Sequence, residues 1–192
     1  FRTQGLVMAH GTGTPQNRTT ESAIMSTVAM AMGVSDWRVS AIKSQTGHSL
    51  GTAAGDQLSA LLGVWDSGWI PGIGTIETVA EDVETDRLSF LLENAPTNQC
   101  AYSLVNSKGF GGNNATATVM SPAVSHSLLK GLHGGRALNA WKVRFEATQQ
   151  RRQDIEDARL SGDWQPLYRF NDGVLDDSDI EAEVGKLKLG DV

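Results

Sequence analysis

The chain has 192 residues, of which 40% are hydrophobic and 20% are charged, a composition that is ordinary for a globular protein. The formal net charge of -6 argues against a nucleic-acid-binding surface, because such surfaces are normally basic. No run of eighteen or more apolar residues is present, so no membrane-spanning helix is predicted. Cys100 is the only cysteine, which excludes an internal disulfide and favours a reducing compartment, so we expect a cytoplasmic protein.

The first 122 residues alternate between strand and helix patterns, which predicts an α/β fold. Residues 6–9 form a short apolar run typical of a buried strand, and residues 37–42 alternate in a way that predicts a second strand. Between these two strands, apolar side chains recur at every fourth position from Ile24 to Met32, which predicts one face of a helix.

A second helix is predicted at residues 58–65, where the apolar side chains have the i, i+3, i+4, i+7 spacing of a helix face. Residues 69–99 are expected to be mostly irregular, with a short strand near residues 88–92. Residues 101–105 and 115–120 then resemble two strands, and the Gly-rich segment between them has the composition of a hairpin turn.

The sequence changes character after Pro122, and we expect an α/β body at residues 1–122 and a linker with a C-terminal extension at residues 123–192. The stretch 123–136 is rich in Ser, Gly and His, which is typical of a linker. A helix is predicted at residues 138–158. Large apolar side chains argue against a disordered tail and predict that the extension packs on the body. They are Leu138, Trp141, Phe145, Trp164, Tyr168 and Phe170.

A histidine follows the first predicted strand, in the sequence His10-Gly11-Thr12-Gly13-Thr14-Pro15. An imidazole at a strand end can present Nε2 to a pocket, and the glycines allow a substrate chain to approach the backbone closely. A histidine in an ordinary tight turn would give the same pattern, so this motif alone does not establish a function.

A lysine and a second histidine follow the next strand, in the sequence Lys43-Ser44-Gln45-Thr46-Gly47-His48. Adjacent strand ends in an open α/β sheet commonly line one crevice, where two histidines could donate to one developing oxyanion. The alternative interpretation is a solvated charge at Lys43 and a helix-capping role for His48.

A third motif occupies the predicted hairpin turn, in the sequence Asn106-Ser107-Lys108-Gly109-Phe110-Gly111-Gly112-Asn113. No helix follows it, so the loop is not a phosphate cradle at a helix N-terminus. A plain hairpin turn remains the alternative for this motif taken by itself.

Taken in order, the three motifs resemble those of the β-ketoacyl-[acyl carrier protein] synthases and of the ketosynthase domains of polyketide synthases. They read His-Gly-Thr-Gly-Thr-Pro, then Lys-x-x-x-Gly-His-x-x-Gly, then Asn-Ser-x-Gly-Phe-Gly-Gly-x-Asn. The resemblance covers residues 5–121 and implies the C-terminal half of a thiolase-like fold, a mixed sheet with helices. Residues 123–192 extend beyond the usual end of the family and are similar to a longer bacterial subclass that initiates fatty-acid synthesis.

The resemblance implies an acyltransferase that condenses an acyl thioester with malonyl carrier protein, with loss of carbon dioxide, in fatty-acid biosynthesis. In this family the charge that develops is an enolate at the thioester oxygen. By resemblance, His10 and His48 donate N–H hydrogen bonds to that oxygen, and Lys43 organises the site together with Glu21. We therefore expect the two imidazoles to face one cavity, and Lys43 to approach Glu21.

Substrate-binding residues are implied by the same resemblance. Thr12 and Thr14 match threonines that bind the pantetheine arm, and Phe110 matches a gate at the acyl pocket. Gly109 and Gly111 would let that gate move. The resemblance implies no resident cofactor, because pantetheine arrives on the acyl carrier protein or on CoA, and the spacing of the histidines and the cysteine predicts no metal site. The implied partners are acyl carrier protein, the missing N-terminal half and a second copy in a homodimer.

The family also uses a cysteine nucleophile at the start of a buried helix, whereas Cys100 precedes a predicted strand. We therefore expect Cys100 to be structural. The chain begins at Phe1 without a signal-peptide pattern, and we expect it to be a piece of a longer enzyme that is inactive alone. Arg18 and Lys108 depart from the family pattern, which leaves the acyl-chain preference open.

Other functions remain open at this point: a polyketide-type ketosynthase, a thiolase-like enzyme, and a ketosynthase-like partner subunit that lost its cysteine and acts by pairing. The Thr-Gly-Thr and Gly-Phe-Gly-Gly elements favour carrier-protein-dependent enzymes over thiolases. The retained His10, Lys43 and His48 argue against a non-catalytic partner.

Overall fold

The computed structural model describes four stretches of the chain, residues 3–97, 100–165, 174–175 and 179–190. These residues form two compact units, which divide between Gly135 and Arg136. The first unit contains all three sequence motifs.

The first unit begins with strands and helices in alternation and continues with a run of strands. Its strands are β1 (Gly5–Met8), β2 (Trp37–Ser40), β3 (Trp69–Ile70), β4 (Leu88–Phe90), β5 (Ala95–Pro96), β6 (Tyr102–Lys108) and β7 (Asn114–Met120). Its helices are α1 (Pro15–Met32), α2 (Lys43–Thr46), α3 (Ala53–Ser67) and the first part of α4 (Pro122–Ser161), with single 3-10 turns at Leu50–Thr52 and Phe110–Gly112.

β1 lies at the centre of a five-stranded sheet with the order β4-β2-β1-β6-β7. β1 pairs in parallel with both β2 and β6, β2 pairs in parallel with β4, and β7 is antiparallel to β6. The carboxyl ends of the four parallel strands therefore meet at one edge, where open α/β sheets form their binding crevices. The β1–β6 ladder ends at the pair Met8 and Val105, so His10 emerges at this edge.

Side chains of β1 are buried on both faces of the sheet. Val7 and Ala9 pack in one cluster with residues of α1, and Leu6 and Met8 pack in another with residues of α3. Because successive side chains of a strand point to opposite faces, burial on both faces produces the continuous apolar run seen in the sequence. This packing fixes the position of the strand that carries His10.

The predicted apolar face of α1 is only partly buried. Met25 and Ala29 are buried against the sheet, whereas Ile24 is 59% exposed and Val28 and Met32 are each 37% exposed. The fourth-residue spacing correctly predicted a helix, but periodicity alone does not reveal which apolar stripe a neighbouring element covers.

The apolar side chains of α3 are likewise only partly buried. Leu61 and Val64 are fully buried, whereas Leu58 and Leu62 are 41% and 63% exposed. Gln57 lies in the buried stripe with no exposed surface. A polar side chain therefore interrupts the face that packs on the sheet.

The strands and both longer helices predicted for the first unit are confirmed, and two local predictions are wrong. The second predicted strand ends at Ser40 instead of residue 42, and the chain turns into helix α2 directly after Ile42. The stretch 123–136, predicted as a linker, belongs to a helix, α4 (Pro122–Ser161), that is interrupted at Gly134. Its leucines and alanines favour helix, and Gly134 alone leaves it, with a φ of 76°.

The part of α4 beyond Gly135 belongs to the second unit and confirms the helix predicted at residues 138–158. Trp141 and Phe145, one turn apart, stack with ring centroids 4.8 Å apart. Neither α4 nor any other helix of the described residues is long and apolar enough to cross a membrane.

The second unit also contains an antiparallel hairpin, β8 (Ile180–Glu183) with β9 (Lys186–Leu189). Tyr168 and Phe170, which contributed to the prediction that the extension packs on the body, lie outside the described residues. That packing stays a prediction.

Candidate active site

His10 directly follows Ala9 at the end of β1 and is buried, with 5% of its surface exposed. Its backbone N–H donates to Oε1 of Glu21 at 2.7 Å, and the N–H of Gly11 donates to Oε2 at 3.0 Å. Gly11 has a φ of 58°, and a Cβ at this position would lie 2.6 Å from Cβ of Ala41. Only glycine fits here, so the chain can turn sharply immediately after His10.

Glu21, in α1, is 4% exposed and accepts four N–H groups. Besides the backbone of His10 and Gly11, the side-chain amides of Asn17 and Asn106 donate to it at 2.9 Å and 2.6 Å. A carboxylate has enough lone pairs for all four donors. Glu21 therefore ties α1 to the ends of β1 and β6.

Lys43 also binds the backbone of His10. Its Nζ donates to the carbonyl oxygen of His10 at 2.5 Å and lies 3.5 Å from Nδ1 of the ring. Lys43 forms no ion pair with Glu21 among those of the described residues, because the carboxylate is already occupied by N–H donors, although the two charges lie close enough to act on each other. Burial lowers the pKa of Lys43, and the charges of Glu21 and Asp56 oppose that shift.

The ring of His10 has one nitrogen occupied by a main-chain donor. The backbone N–H of Lys108, at the end of β6, donates to Nδ1 of His10 at 3.2 Å. Only an unprotonated ring nitrogen accepts, so the neutral ring carries its proton on Nε2. Burial lowers the pKa of His10, and the nearby charge of Lys43 lowers it further, against an opposing effect of Glu21. His10 is therefore held as a neutral Nε2–H donor.

His48 lies in the turn between α2 and α3, with its ring centroid 5.2 Å from that of His10 and the ring planes at 82°. The backbone N–H of Leu50 donates to Nδ1 of His48 at 3.1 Å, so neutral His48 is also protonated at Nε2. Leu50 adopts a left-handed φ of 59° to close this turn. His48 itself is exposed.

Both imidazoles line one cavity of about 1050 Å³, which confirms that they face a common space. Thr12, Thr14, Gly109 and Phe110 line the same cavity, whereas Gly111 does not. Phe110 is 96% exposed, and Gly111 beside it has a φ of 75°. Within the described part of the chain, no three His, Cys, Asp or Glu side chains form a group that could hold a metal ion.

Two amides of the site were missed by the sequence analysis. Asn17 lies one helical turn before Glu21, from which it reaches the carboxylate. Nε2 of Gln57, in α3, lies within hydrogen-bond distance of the carbonyl oxygens of Met8, Ala9 and Asn106. The sequence feature that could have indicated Gln57 is its position as a single polar residue within the apolar stripe of α3.

Comparison with known proteins shows which family this chain resembles. Residues 3–76 match the family model of the beta-ketoacyl synthase C-terminal domain. The chain is a ketosynthase homologue. It is 41% identical over 192 residues to the beta-ketoacyl-[acyl-carrier-protein] synthase FabY of Pseudomonas aeruginosa. The aligned region covers 98% of this chain and 30% of that protein. It is 38% identical over 109 residues to 3-oxoacyl-[acyl-carrier-protein] synthase 2 of Staphylococcus aureus, 56% of this chain and 26% of the relative. The chain thus spans less than a third of the length of these relatives.

Solved structures give the ketosynthase homologue a thiolase-like fold. The crystal structure of the ketosynthase FabY from P. aeruginosa matches with a TM-score of 0.82 and 38% identity, over 97% of this chain and 29% of that chain. The ishigamide ketosynthase/chain length factor matches with a TM-score of 0.55 and 28% identity, over 63% of this chain and 29% of that chain. The predicted α/β fold, with a mixed sheet and helices, is confirmed.

Cys100 of the ketosynthase homologue is buried and does not line the cavity. Its thiol donates to the carbonyl oxygen of Tyr102 at 3.3 Å. Burial raises the pKa of the Cys100 thiol, although the charge of Arg38 opposes that rise. Reactive cysteines need a lowered pKa and an accessible thiolate, so these are the features of a packed cysteine.

Two departures from the family pattern have structural partners. Arg18 forms a bidentate ion pair with Asp82, with both N–O distances at 2.8 Å, and so ties α1 to the irregular segment before β4. Lys108 contributes its backbone N–H to His10, while its Nζ donates to the hydroxyl of Thr20 at 3.0 Å.

Proposed function

We propose that this chain supplies the enolate-stabilising part of the active site of a β-ketoacyl-[acyl-carrier-protein] synthase, an acyltransferase of fatty-acid biosynthesis. The observation that carries the proposal is the matched arrangement of His10 and His48. Each ring accepts a backbone N–H at Nδ1, and the ring centroids lie 5.2 Å apart. Two Nε2–H groups can therefore donate to one oxygen, which is what an oxyanion site requires.

In the proposed reaction, the bond between the carboxylate and the α-carbon of a malonyl thioester breaks, and carbon dioxide leaves. The electron pair of that bond forms an enolate, whose negative charge rests on the thioester oxygen. The α-carbon then attacks the carbonyl carbon of an acyl group held on a cysteine, and the thiolate leaves with the electron pair of the C–S bond. His10 and His48 stabilise the enolate oxygen, and the loss of one such donor costs about 3 kcal/mol.

Lys43 and Glu21 act through His10 in this proposal. Glu21 holds the amide of His10 and Lys43 holds its carbonyl, which fixes the ring against the cavity. Burial lowers the pKa of His10, and the positive charge of Lys43 lowers it further, against the opposing charge of Glu21. Both effects keep His10 neutral and aligned, and that is the form that donates without carrying a charge of its own.

The substrate arm would enter along Thr12 and Thr14. Their hydroxyls lie 3.3 Å apart and line the cavity, where they are available to the amides of a pantetheine arm. Phe110 closes the acyl pocket in this proposal, and its near-complete exposure between glycines supports a movable side chain. Acyl and malonyl groups would arrive on acyl carrier protein or CoA, without a resident cofactor.

The nucleophile must come from outside this sequence, because the thiol of Cys100 is buried away from the cavity. The relatives are more than three times as long as the matched region, which leaves room for it. We propose that the active form combines this chain with an N-terminal part that bears the nucleophile, as a cytoplasmic homodimer. We call this chain together with that N-terminal part the complete enzyme.

A polyketide-type ketosynthase would use the same pair of histidines. The identities of 41% and 38% to proteins named as acyl-carrier-protein synthases, against 28% to the ishigamide protein, support the fatty-acid assignment. A non-catalytic partner subunit would have no need for a main-chain donor at Nδ1 of both rings.

The test compares the complete enzyme with the 192-residue chain alone. Each is mixed with an acyl-primed substrate and malonyl carrier protein, and β-ketoacyl product is measured. We expect product from the complete enzyme only, because losing a nucleophile costs several orders of magnitude in rate. Cys100→Ser in the complete enzyme should leave turnover unchanged. Product from the chain alone that disappears with Cys100→Ser would contradict the proposal.

A further inference from the structure

Gln57 bridges the ends of β1 and β6 at the point where their ladder stops. The last paired residues are Met8 and Val105, and the next pair would be Ala9 and Asn106. At that level, Nε2 of Gln57 donates to the carbonyl oxygens of Ala9 at 2.7 Å and Asn106 at 3.1 Å. It also lies 3.1 Å from the carbonyl oxygen of Met8. The amide therefore continues the connection between two strands that no longer bond each other directly.

Packing does not explain a glutamine at this position. The side chain has no exposed surface, and its Oε1 has no hydrogen-bond partner among the described residues. Exchanging the oxygen and nitrogen of the amide would set Oε1 against three carbonyl oxygens, so the orientation is dictated by chemistry. An apolar residue would fill the stripe of α3 without burying an unpaired oxygen. The side-chain N–H groups of Gln57, rather than its packing, therefore explain a glutamine at this position.

Both strand ends that Gln57 joins lead directly to His10. Ala9 is the preceding residue, so its carbonyl fixes where His10 leaves β1. Asn106 lies two residues before Lys108, whose backbone N–H donates to Nδ1 of His10. Gln57 thus sets the spacing between the strand that carries the imidazole and the strand that carries its tautomer-setting donor.

We propose that Gln57 is a positioning residue that holds His10 as the Nε2–H tautomer. The proposal rests on the function proposed above for His10, donation to an enolate oxygen. Without Gln57, β1 and β6 separate at their ends, and the hydrogen bond from Lys108 to Nδ1 weakens. His10 then populates the Nδ1–H tautomer, which has no proton on Nε2 to donate.

The experiment measures two steps separately in the complete enzyme: acylation of the nucleophilic cysteine, and decarboxylation of malonyl carrier protein. In Gln57→Met, kcat for decarboxylation per acylated site should fall about tenfold to a hundredfold, the scale of a small misplacement of a reacting group. KM and acylation should be unchanged. Gln57→Glu should recover part of kcat, because a buried carboxyl retains its proton and donates one O–H. Gln149→Met, on the exposed surface of α4, is the matched control and should behave as wild type.

Equal losses in acylation and decarboxylation would overturn the proposal, as would a wild-type kcat in Gln57→Met or no recovery in Gln57→Glu. If Gln57→Met does not fold, Gln57→Glu carries the test, since its decarboxylation must fall while acylation holds. A wild-type enzyme that does not decarboxylate malonyl carrier protein would instead refute the proposed function. Nitrogen NMR of His10 then decides the positioning role: a single Nε2–H tautomer that becomes mixed in the Gln57 variants supports it, and an unchanged tautomer overturns it.

Discussion

The two histidines of the candidate site lie in regions of very different construction. His10 is buried at the end of the central strand, and its amide, its carbonyl and its ring are each held by a hydrogen bond. His48 is exposed in a short turn, where its ring accepts a hydrogen bond from the backbone N–H of Leu50. The difference shows that this chain preorganises one donor with its core, whereas the other depends on a local turn at the surface.

The contrast between the two histidines first predicts that replacing a carboxylate near His10 destabilises the protein more than replacing a carboxylate near His48. Glu21→Gln puts an NH2 group against some of the four N–H donors near His10, and should lower the free energy of unfolding by about 3 kcal/mol. Asp56→Asn, beside the His48 turn, keeps an oxygen for the hydroxyl of Ser49 and should change it by less than about 0.5 kcal/mol. Urea unfolding measures both, and equal losses would break the comparison.

Replacing one glycine near each histidine, Gly11 and Gly47, tests the same contrast, with a smaller expected difference in stability. Gly11→Ala brings Cβ within 2.6 Å of Cβ of Ala41 at a φ of 58°, whereas a Cβ at Gly47 meets open space at a φ of 74°. Gly47 has a ψ of -170°, outside the left-handed helical region, so backbone strain alone should cost Gly47→Ala about 1–3 kcal/mol. Gly11→Ala should lose about 1–3 kcal/mol more, because its neighbours must also shift. A larger loss at Gly47 in thermal unfolding would mean that the turn is the better-packed region.

The smallest effect concerns pH. Burial and Lys43 lower the pKa of His10 below its ordinary 6.5, so its contribution to stability is complete above pH 6.5 and is lost as the pH falls toward the lowered value. Decarboxylation needs neutral His10 and should decline over the same acid range. Lys43→Met removes a positive charge, which raises the pKa of His10 and moves the acid limb of the rate profile to higher pH.

The control for this shift is Lys130→Met, on the exposed surface of α4, which should leave the acid limb in place. An acid limb that stays fixed or moves to lower pH in Lys43→Met would show that Lys43 does not act on the charge of His10.

The sequence predicted the part of the site that follows from topology. His10 and His48 each follow a parallel strand, and the carboxyl ends of such strands meet at one edge of a sheet. The loop that carries Phe110 follows a third strand of that sheet, so it reaches the same cavity. Strand order alone therefore predicts that these residues lie close together.

The hydrogen bonds within the site could not be predicted in this way. Lys43 and Glu21 were expected to pair because they carry opposite charges, yet each binds a different backbone group of His10. Gln57 reaches Ala9 across 48 positions of sequence, and only the packing of α3 on the sheet brings them together. Charge and periodicity indicate which residues are candidates, but competition for a shared backbone partner is decided in three dimensions.

The central claim is that His10 and His48 donate to one enolate oxygen, and a double-mutant cycle on the decarboxylation of malonyl carrier protein by the complete enzyme tests it most directly. His10→Ala and His48→Ala should each lower the rate about a hundredfold or more, despite their different burial. Because the two donors act on one oxygen, the loss in the double variant should depart clearly from the product of the single losses. His133→Ala, in α4, is the control and should retain the wild-type rate. A His48→Ala variant that decarboxylates at the wild-type rate, or strictly multiplicative losses, would contradict the claim.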